Sequence, residues 1–196
     1  MARFDLIHEA DANEKTQSIY KDVKETFGIA HIPDYFKLIA LQHPLFEGIW
    51  SGYKNILNNG ILPLQVKEMI FLTVALNRGC VYCSSTHLAV CDMVDVPKQT
   101  LEMMKTDINE VNPERVRNIL NFAVKTIEDP DSVTEKDYAK FYDDGVSQEE
   151  VIEIFAMVFL SNTAVNMALS MGMKNIEIEI SDYLKAENLK TGLEVG

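Results

Sequence analysis

Cys80 and Cys83 stand three residues apart, with His87 four residues after the second and Glu68 twelve residues before the first. These types can do thiol chemistry: a thiolate is the nucleophile, and an imidazole can take the thiol's proton. If a helix begins at Cys80, then Cys80, Cys83 and His87 lie within about 60° of one another on one face. Gly79 allows a sharp turn that sets Cys80 at the helix start, where free N–H groups and the helix dipole favour a thiolate. Residues three apart on a helix have Cβ atoms about 5–6 Å apart, so a Cys80–Cys83 disulfide requires the first turn to tighten slightly. Cys83 and His87 are one turn apart, within side-chain reach. Glu68 belongs to the preceding helix. Antiparallel packing across the break at 77–79 would bring its carboxylate back to orient His87 and hold its tautomer. The plainer reading of Glu68 is an exposed or capping glutamate in a first helical turn.

Other chemistry fits these residues less well. A structural zinc site takes four ligands, whereas one cysteine pair and one nearby histidine supply three, so no metal is expected. Cys91 would lie about 16 Å along the helix axis from Cys80, too far to join the same site, and it reads as a small buried hydrophobe. His31 and His43 stand close before prolines and read as structural or exposed. The methionines read as core filling, and Trp50 as core or interface. Tyr82, between the cysteines, either lines the thiol pocket or covers the helix.

The elements that must position the site are helical almost throughout. Ile19, Val23 and Phe27 recur every four residues, predicting an amphipathic helix over 14–27. Pro33 opens a second helix and 45–57 forms another, stopped by Asn58-Asn59-Gly60. Pro63 introduces a strongly apolar helix over 64–77, and Asn77-Arg78-Gly79 separates it from the helix over 80–93. Further helices are predicted over 113–127 and around 135–142. Residues 147–171 read as one long apolar helix or a broken pair, opened by a capping box of Ser147 and Glu150. Residues 175–181 alternate like a strand but lack a visible partner, so an extended arm or weak helix is expected.

Residues 63–87 and 148–172 match at an offset of 85 positions. Val66 falls on Val151, Glu68 on Glu153 and Asn77 on Asn162, suggesting an internal repeat of a two-helix unit with a break at each Asn. Cys80, Cys83 and His87 fall on Val165, Ala168 and Gly172. The reactive trio is therefore not needed merely to fill space.

Of the 196 residues, 47% are hydrophobic, enough for a core within one domain spanning 1–196. Thirty acidic residues against 18 basic ones give a net charge of −12, which argues against nucleic-acid binding and against docking on anionic membranes. The apolar stretches 69–76 and 151–160 are shorter than the roughly 20 residues a membrane span requires. The first residues lack a leader's apolar region and read as mature protein, so a cytoplasmic location is expected. In a reducing compartment a close cysteine pair points to redox, catalytic or metal-binding use rather than a structural staple.

The pattern Glu68, eleven residues, Cys80-Val81-Tyr82-Cys83, three residues, His87 resembles the alkylhydroperoxidase D (AhpD)-like, carboxymuconolactone decarboxylase superfamily. The resemblance spans about 33–173 and includes His43-Pro44, Asn162 and Asn166. It implies an all-α, AhpD-like helical bundle and a homo-oligomer, a trimer or hexamer. It also implies a dithiol site with no bound cofactor. By position, Cys83 would attack a hydroperoxide substrate and Cys80 would resolve the product. Glu68 and His87 would form the proton relay, and an external dithiol of thioredoxin or lipoyl type would reset the pair. Well-characterised peroxidase members carry His where this chain has Tyr82, and Tyr there is more similar to the peroxidase-related branch. Two other readings are a redox-sensing or partner-binding protein with little turnover, and a cofactorless decarboxylase.

Overall fold

The computed structural model describes residues 3–173 and is all-α, with no strand among the described residues. The predicted arm at 175–181 lies outside them. Nine α-helices follow in order among these residues: α1 (Glu14–Phe27), α2 (Asp34–Ile39), α3 (His43–Gly52), α4 (Leu64–Asn77), α5 (Val81–Met93), α6 (Lys98–Thr106), α7 (Glu114–Glu128), α8 (Glu135–Asp143) and α9 (Gln148–Ser170). A π-helical turn, Tyr53–Leu57, extends α3.

α4 is the central strut, packed against α5, α7 and α9. Every side chain from Lys67 to Ala75 is buried. A helix apolar on all sides can sit only inside a fold, which is why the run 69–76 shows no amphipathic period. Each fully buried Ile, Leu, Phe or Val in it contributes on the order of 1.5–3 kcal/mol. Around this strut the other helices show one buried face each. α7, for example, buries Ile119, Leu120, Phe122, Ala123, Thr126 and Ile127 and turns its charges outward. Trp50 is buried in an aromatic group with Phe27 and Phe36, and its indole N–H donates to Asp22 Oδ2 at 2.7 Å.

Lys67 is a buried cation, and its surroundings explain how α4 can hold it. It pairs with Glu153 of α9 and donates to the carbonyls of Ile56, at 2.9 Å, and Asn59. Glu153 Oε2 in turn accepts the backbone N–H groups of Ile61, at 2.8 Å, and Leu62, at 3.2 Å. One ion pair thus closes the turn between the π segment and α4. Gly60 sits there with φ of +114°, and a Cβ on it would overlap the Glu153 carboxylate. Only glycine satisfies both conditions.

Two expectations are corrected. First, α9 runs unbroken through Asn162 to Ser170, so the second repeat copy lacks the helix break. Asn162 accepts from Arg78 Nε at 3.3 Å and from Asn166 Nδ2 at 3.2 Å and leaves the backbone helical. The capping box of Ser147 and Glu150 opens α9 as predicted. Second, α9 at 23 residues is longer than its ten-residue apolar run and is long and apolar enough to cross a membrane by length and composition alone. Here it packs against α4, burying Val151, Ile154, Met157, Val158, Ala164, Val165 and Ala168.

Removing one partner of a buried ion pair typically costs about 3–5 kcal/mol. Lys67→Met should therefore lower unfolding stability by about 3 kcal/mol in urea melts, since it strands Glu153. A loss under about 1 kcal/mol would show that the pair does not hold this turn.

Candidate active site

The site is built at the corner between α4 and α5. α4 ends with Gly79 at φ of +65°, a left-handed conformation that glycine adopts without strain. Gly79 N–H bonds to the Leu76 carbonyl at 3.1 Å, and Cys80 N–H to the Ala75 carbonyl at 3.0 Å. These two bonds make a Schellman motif, which satisfies α4's last carbonyls. The same Cys80 is the N-cap of α5. Its backbone is extended at φ −82° and ψ 94°, and its Sγ accepts the N–H of Cys83 at 3.2 Å. One residue therefore closes one helix and opens the next.

That extended residue supplies the tightening the disulfide requires. Cys80 and Cys83 are bonded, with Cα atoms 5.3 Å apart, inside the range disulfides adopt. Because Cys80 stands just outside the helix, the pair escapes the fixed spacing of two helical residues. Cys80 is 0% exposed and Cys83 5%. Cys91 is free and buried within the same helix.

The antiparallel return of α5 along α4 brings Glu68 to His87. Glu68 is buried rather than an exposed capping residue, and the distance from its Oε2 to His87 Nδ1 is 2.7 Å. A carboxylate only accepts, so Nδ1 carries a proton, and in the neutral imidazole Nε2 keeps its lone pair. The imidazole lies flat on Phe71, ring centroids 3.6 Å apart and planes 15° apart. Phe71 stands one turn after Glu68 on α4, so a single helix both orients the ring and supports it. His87 stands one turn after Cys83 on the same side of α5.

Tyr82 is buried, and its hydroxyl accepts the N–H of Tyr35 at 3.1 Å. α2 begins at Pro33 with no side-chain cap of its own, so a tyrosine from α5 satisfies one of its first free N–H groups. Tyr82 thus ties the thiol helix to α2. Tyr53, at the start of the π segment, is deeply buried, and burial holds its phenol well above the ordinary range, with Tyr35 and Glu68 adding to the effect. Sequence reasoning passed over Phe71 and Tyr53. Phe71 was visible as the residue three after Glu68, but Tyr53 reaches the site only through the packing of the π-helical turn on α4, where it meets Phe71.

Burial pushes the Cys91 thiol up, and the nearby Glu68 charge pushes it further in the same direction. His31 is exposed and His43 partly buried, neither among the contacts of the site. Among the described residues no group of three or more His, Cys, Asp or Glu side chains is arranged to hold a metal. The structure thus brings Glu68 and His87 together, joins Cys80 to Cys83, and leaves Cys91 out.

Residues 44–104, the segment that contains all four site residues, match the model of the carboxymuconolactone decarboxylase family. No curated protein is similar enough to the chain to register as a relative. Several solved structures share the fold. An uncharacterized peroxidase-related protein from Ralstonia eutropha JMP134, with an alkylhydroperoxidase AhpD core, superposes with a TM-score of 0.82 at 20% identity, covering 92% of this chain and 94% of its own. A second uncharacterized peroxidase-related protein, from Silicibacter sp. TM1040, gives 0.76 at 21% identity, covering 87% and 89%. The debrominase Bmp8 gives 0.74 at 17% identity, covering 90% and 92%.

Alkylation of the native protein at pH 8 should spare Cys91, whose buried thiol stays protonated well above the ordinary cysteine value of about 8.5. Peptide mapping after mild oxidation should show the Cys80–Cys83 bridge with Cys91 reduced. A bridge that includes Cys91, or its ready alkylation without unfolding, would contradict this geometry.

Proposed function

We propose that the chain, which matches the carboxymuconolactone decarboxylase family over residues 44–104 and shares the fold of AhpD-like proteins, is a thiol-dependent peroxidase that reduces hydroperoxides with the Cys80–Cys83 pair. The observation that carries this reading is the 2.7 Å contact of Glu68 with His87, one helical turn from Cys83. In the reduced protein His87 Nε2 takes the Cys83 proton. The Cys83 thiolate attacks a peroxide oxygen, the O–O bond breaks, and the departing alkoxide takes the proton back from His87. Cys83 is left as a sulfenic acid. The Cys80 thiolate attacks that sulfur, the S–O bond breaks, and water leaves once the hydroxide is protonated. The product is the Cys80–Cys83 disulfide. An external dithiol of lipoyl or thioredoxin type then reduces the pair and is itself oxidised to a disulfide. Glu68 accepts the His87 Nδ1–H throughout, which stabilises the imidazolium as it forms. The chemistry runs on the protein's own sulfur and imidazole and uses no bound cofactor.

The protein acts as a homo-oligomer, a trimer or hexamer. The exposed Ile152 and Phe159 on α9, at 68% and 56%, support self-association. Light scattering should return a multiple of the 22.2 kDa chain mass. A stable single-chain mass at micromolar concentration would sink this part.

Stopped-flow reduction of hydrogen peroxide and organic hydroperoxides by the pre-reduced protein tests the chemistry. His87→Ala should slow the first attack by about 10²–10⁴-fold, the usual contribution of a general base. Glu68→Gln should slow it less, and the double variant should match His87→Ala, because the two act as one unit. Cys80→Ser should still react once and accumulate a dimedone-reactive sulfenic acid at Cys83. Unchanged rates in His87→Ala would remove the relay. A single turnover that no dithiol donor can restart would mark a redox sensor rather than an enzyme.

A further inference from the structure

The geometry points to a division of labour in resetting the pair: the incoming thiolate attacks Cys83 Sγ, and Cys80 departs as a thiolate held by the N-terminus of α5. This deepens the dithiol reading above and rests on it. The N-cap interaction of Cys80 and the difference in enclosure between the two cysteines carry it. Cys80 Sγ already accepts the Cys83 N–H at 3.2 Å, so the donor that would stabilise negative charge on that sulfur is in place before the bond breaks. Cys80 is the N-cap of a 13-residue helix, with its sulfur at the positive end of the dipole. Cys80 is also fully enclosed, whereas Cys83 keeps the only measurable exposure of the two.

In thiol–disulfide exchange the sulfur with the better-stabilised thiolate leaves faster, and the accessible sulfur is the one attacked. Both criteria select the same outcome here. The reductant's thiolate forms a bond to Cys83 Sγ while the Cys80–Cys83 bond breaks, its electron pair going to Cys80 Sγ. The reductant's second thiol then attacks its own sulfur in the mixed disulfide. That closes the reductant's disulfide and releases Cys83, and the proton of the second thiol passes through His87 Nε2 to the Cys83 sulfur. Two electrons pass from the dithiol to the protein, and no other oxidant or reductant enters.

The arrangement also accounts for the reverse direction. The N–H that Cys80 Sγ accepts would also steady that sulfur as it attacks a sulfenic acid on Cys83, so the same donor serves both half-reactions. The proton relay stands beside Cys83, where protons must be moved. The helix end stands beside Cys80, where charge must be held.

The test uses the oxidised full-length protein and isotopically labelled glutathione, quenched with acid within milliseconds to seconds. Free thiols are then alkylated and the adduct mapped by mass spectrometry. The glutathione should be found on Cys83, with Cys80 as the alkylated thiol, by about tenfold or more over the reverse. As a second readout, Cys80→Ser and Cys83→Ser proteins are each charged with 5-thio-2-nitrobenzoate on the remaining site cysteine. Serine is a good N-cap, so Cys80→Ser preserves the start of α5. Glutathione should release the chromophore from Cys83 about tenfold faster than from Cys80. Adduct on Cys80, an even split, no adduct on either sulfur, or equal release rates would each overturn the assignment. Neither readout involves peroxide, so it can fail while peroxide reduction succeeds, and can succeed in a protein that consumes none.

Discussion

The structure turns on two charged neighbours, Lys67 and Glu68, both buried in the central helix α4. Successive residues on a helix point about 100° apart, so these side chains cannot share a partner and must find theirs on different helices. Lys67 finds Glu153 on α9, and Glu68 finds His87 on α5. Apolar packing would tolerate a slide of either helix along α4 at modest loss. The charges do not tolerate it, because a one-turn slip strands a buried ion, at about 3–5 kcal/mol. The register of α5 against α4, and hence the place of both cysteines, follows from that constraint.

The offset of 85 residues gains meaning from these contacts. Glu68 and Glu153 are equivalent positions, and in both helices the glutamate reaches across to a basic side chain of a neighbouring helix. One contact orients an imidazole and the other closes a turn. The copies diverge at their second half. The first is interrupted by Gly79 at φ +65°, and the second continues as one helix through Ser170. Only the interruption produces a new helix N-terminus with free N–H groups. Placing cysteines at Val165 and Ala168 of α9 would give two thiols in mid-helix, with the N–H groups around them already bonded. The break, as much as the residue types, makes the first copy a thiol site.

How much was legible in the sequence follows from how local each signal is. The helical periods, the proline starts, the capping box at Ser147 and the glycine stop at Gly79 are local, and each appears in the fold. So is the spacing of Cys80, Cys83 and His87, since one helix places all three. The partnership of Glu68 with His87 could be read because only one short corner separates their helices. What failed to show was tertiary. α6 has a clear amphipathic pattern behind Pro97, burying Leu101 and Met104, but its nine residues give a short signal. Asn162 resembles a helix breaker until Arg78 occupies its side chain. Lysine is normally a surface residue, so nothing local marks Lys67 as buried. Tyr82 caps α2 from 47 residues away, which no window on the sequence connects.

α5 sorts its own cysteines by electrostatics. At its beginning, Cys80 Sγ faces a backbone N–H and the positive end of the helix dipole. Next comes Cys83, bonded to Cys80 and one turn before His87. Two turns further, Cys91 is enclosed among apolar side chains near the Glu68 carboxylate, and both influences disfavour its thiolate. The same carboxylate that contacts His87 adds to the burial that holds the Cys91 thiol up. Of the three cysteines within twelve residues, two are joined and the third is free and buried. Moving the charge of Glu68 one turn along α4 would release His87 and remove the smaller, electrostatic part of the effect on Cys91, leaving the larger part, which burial produces.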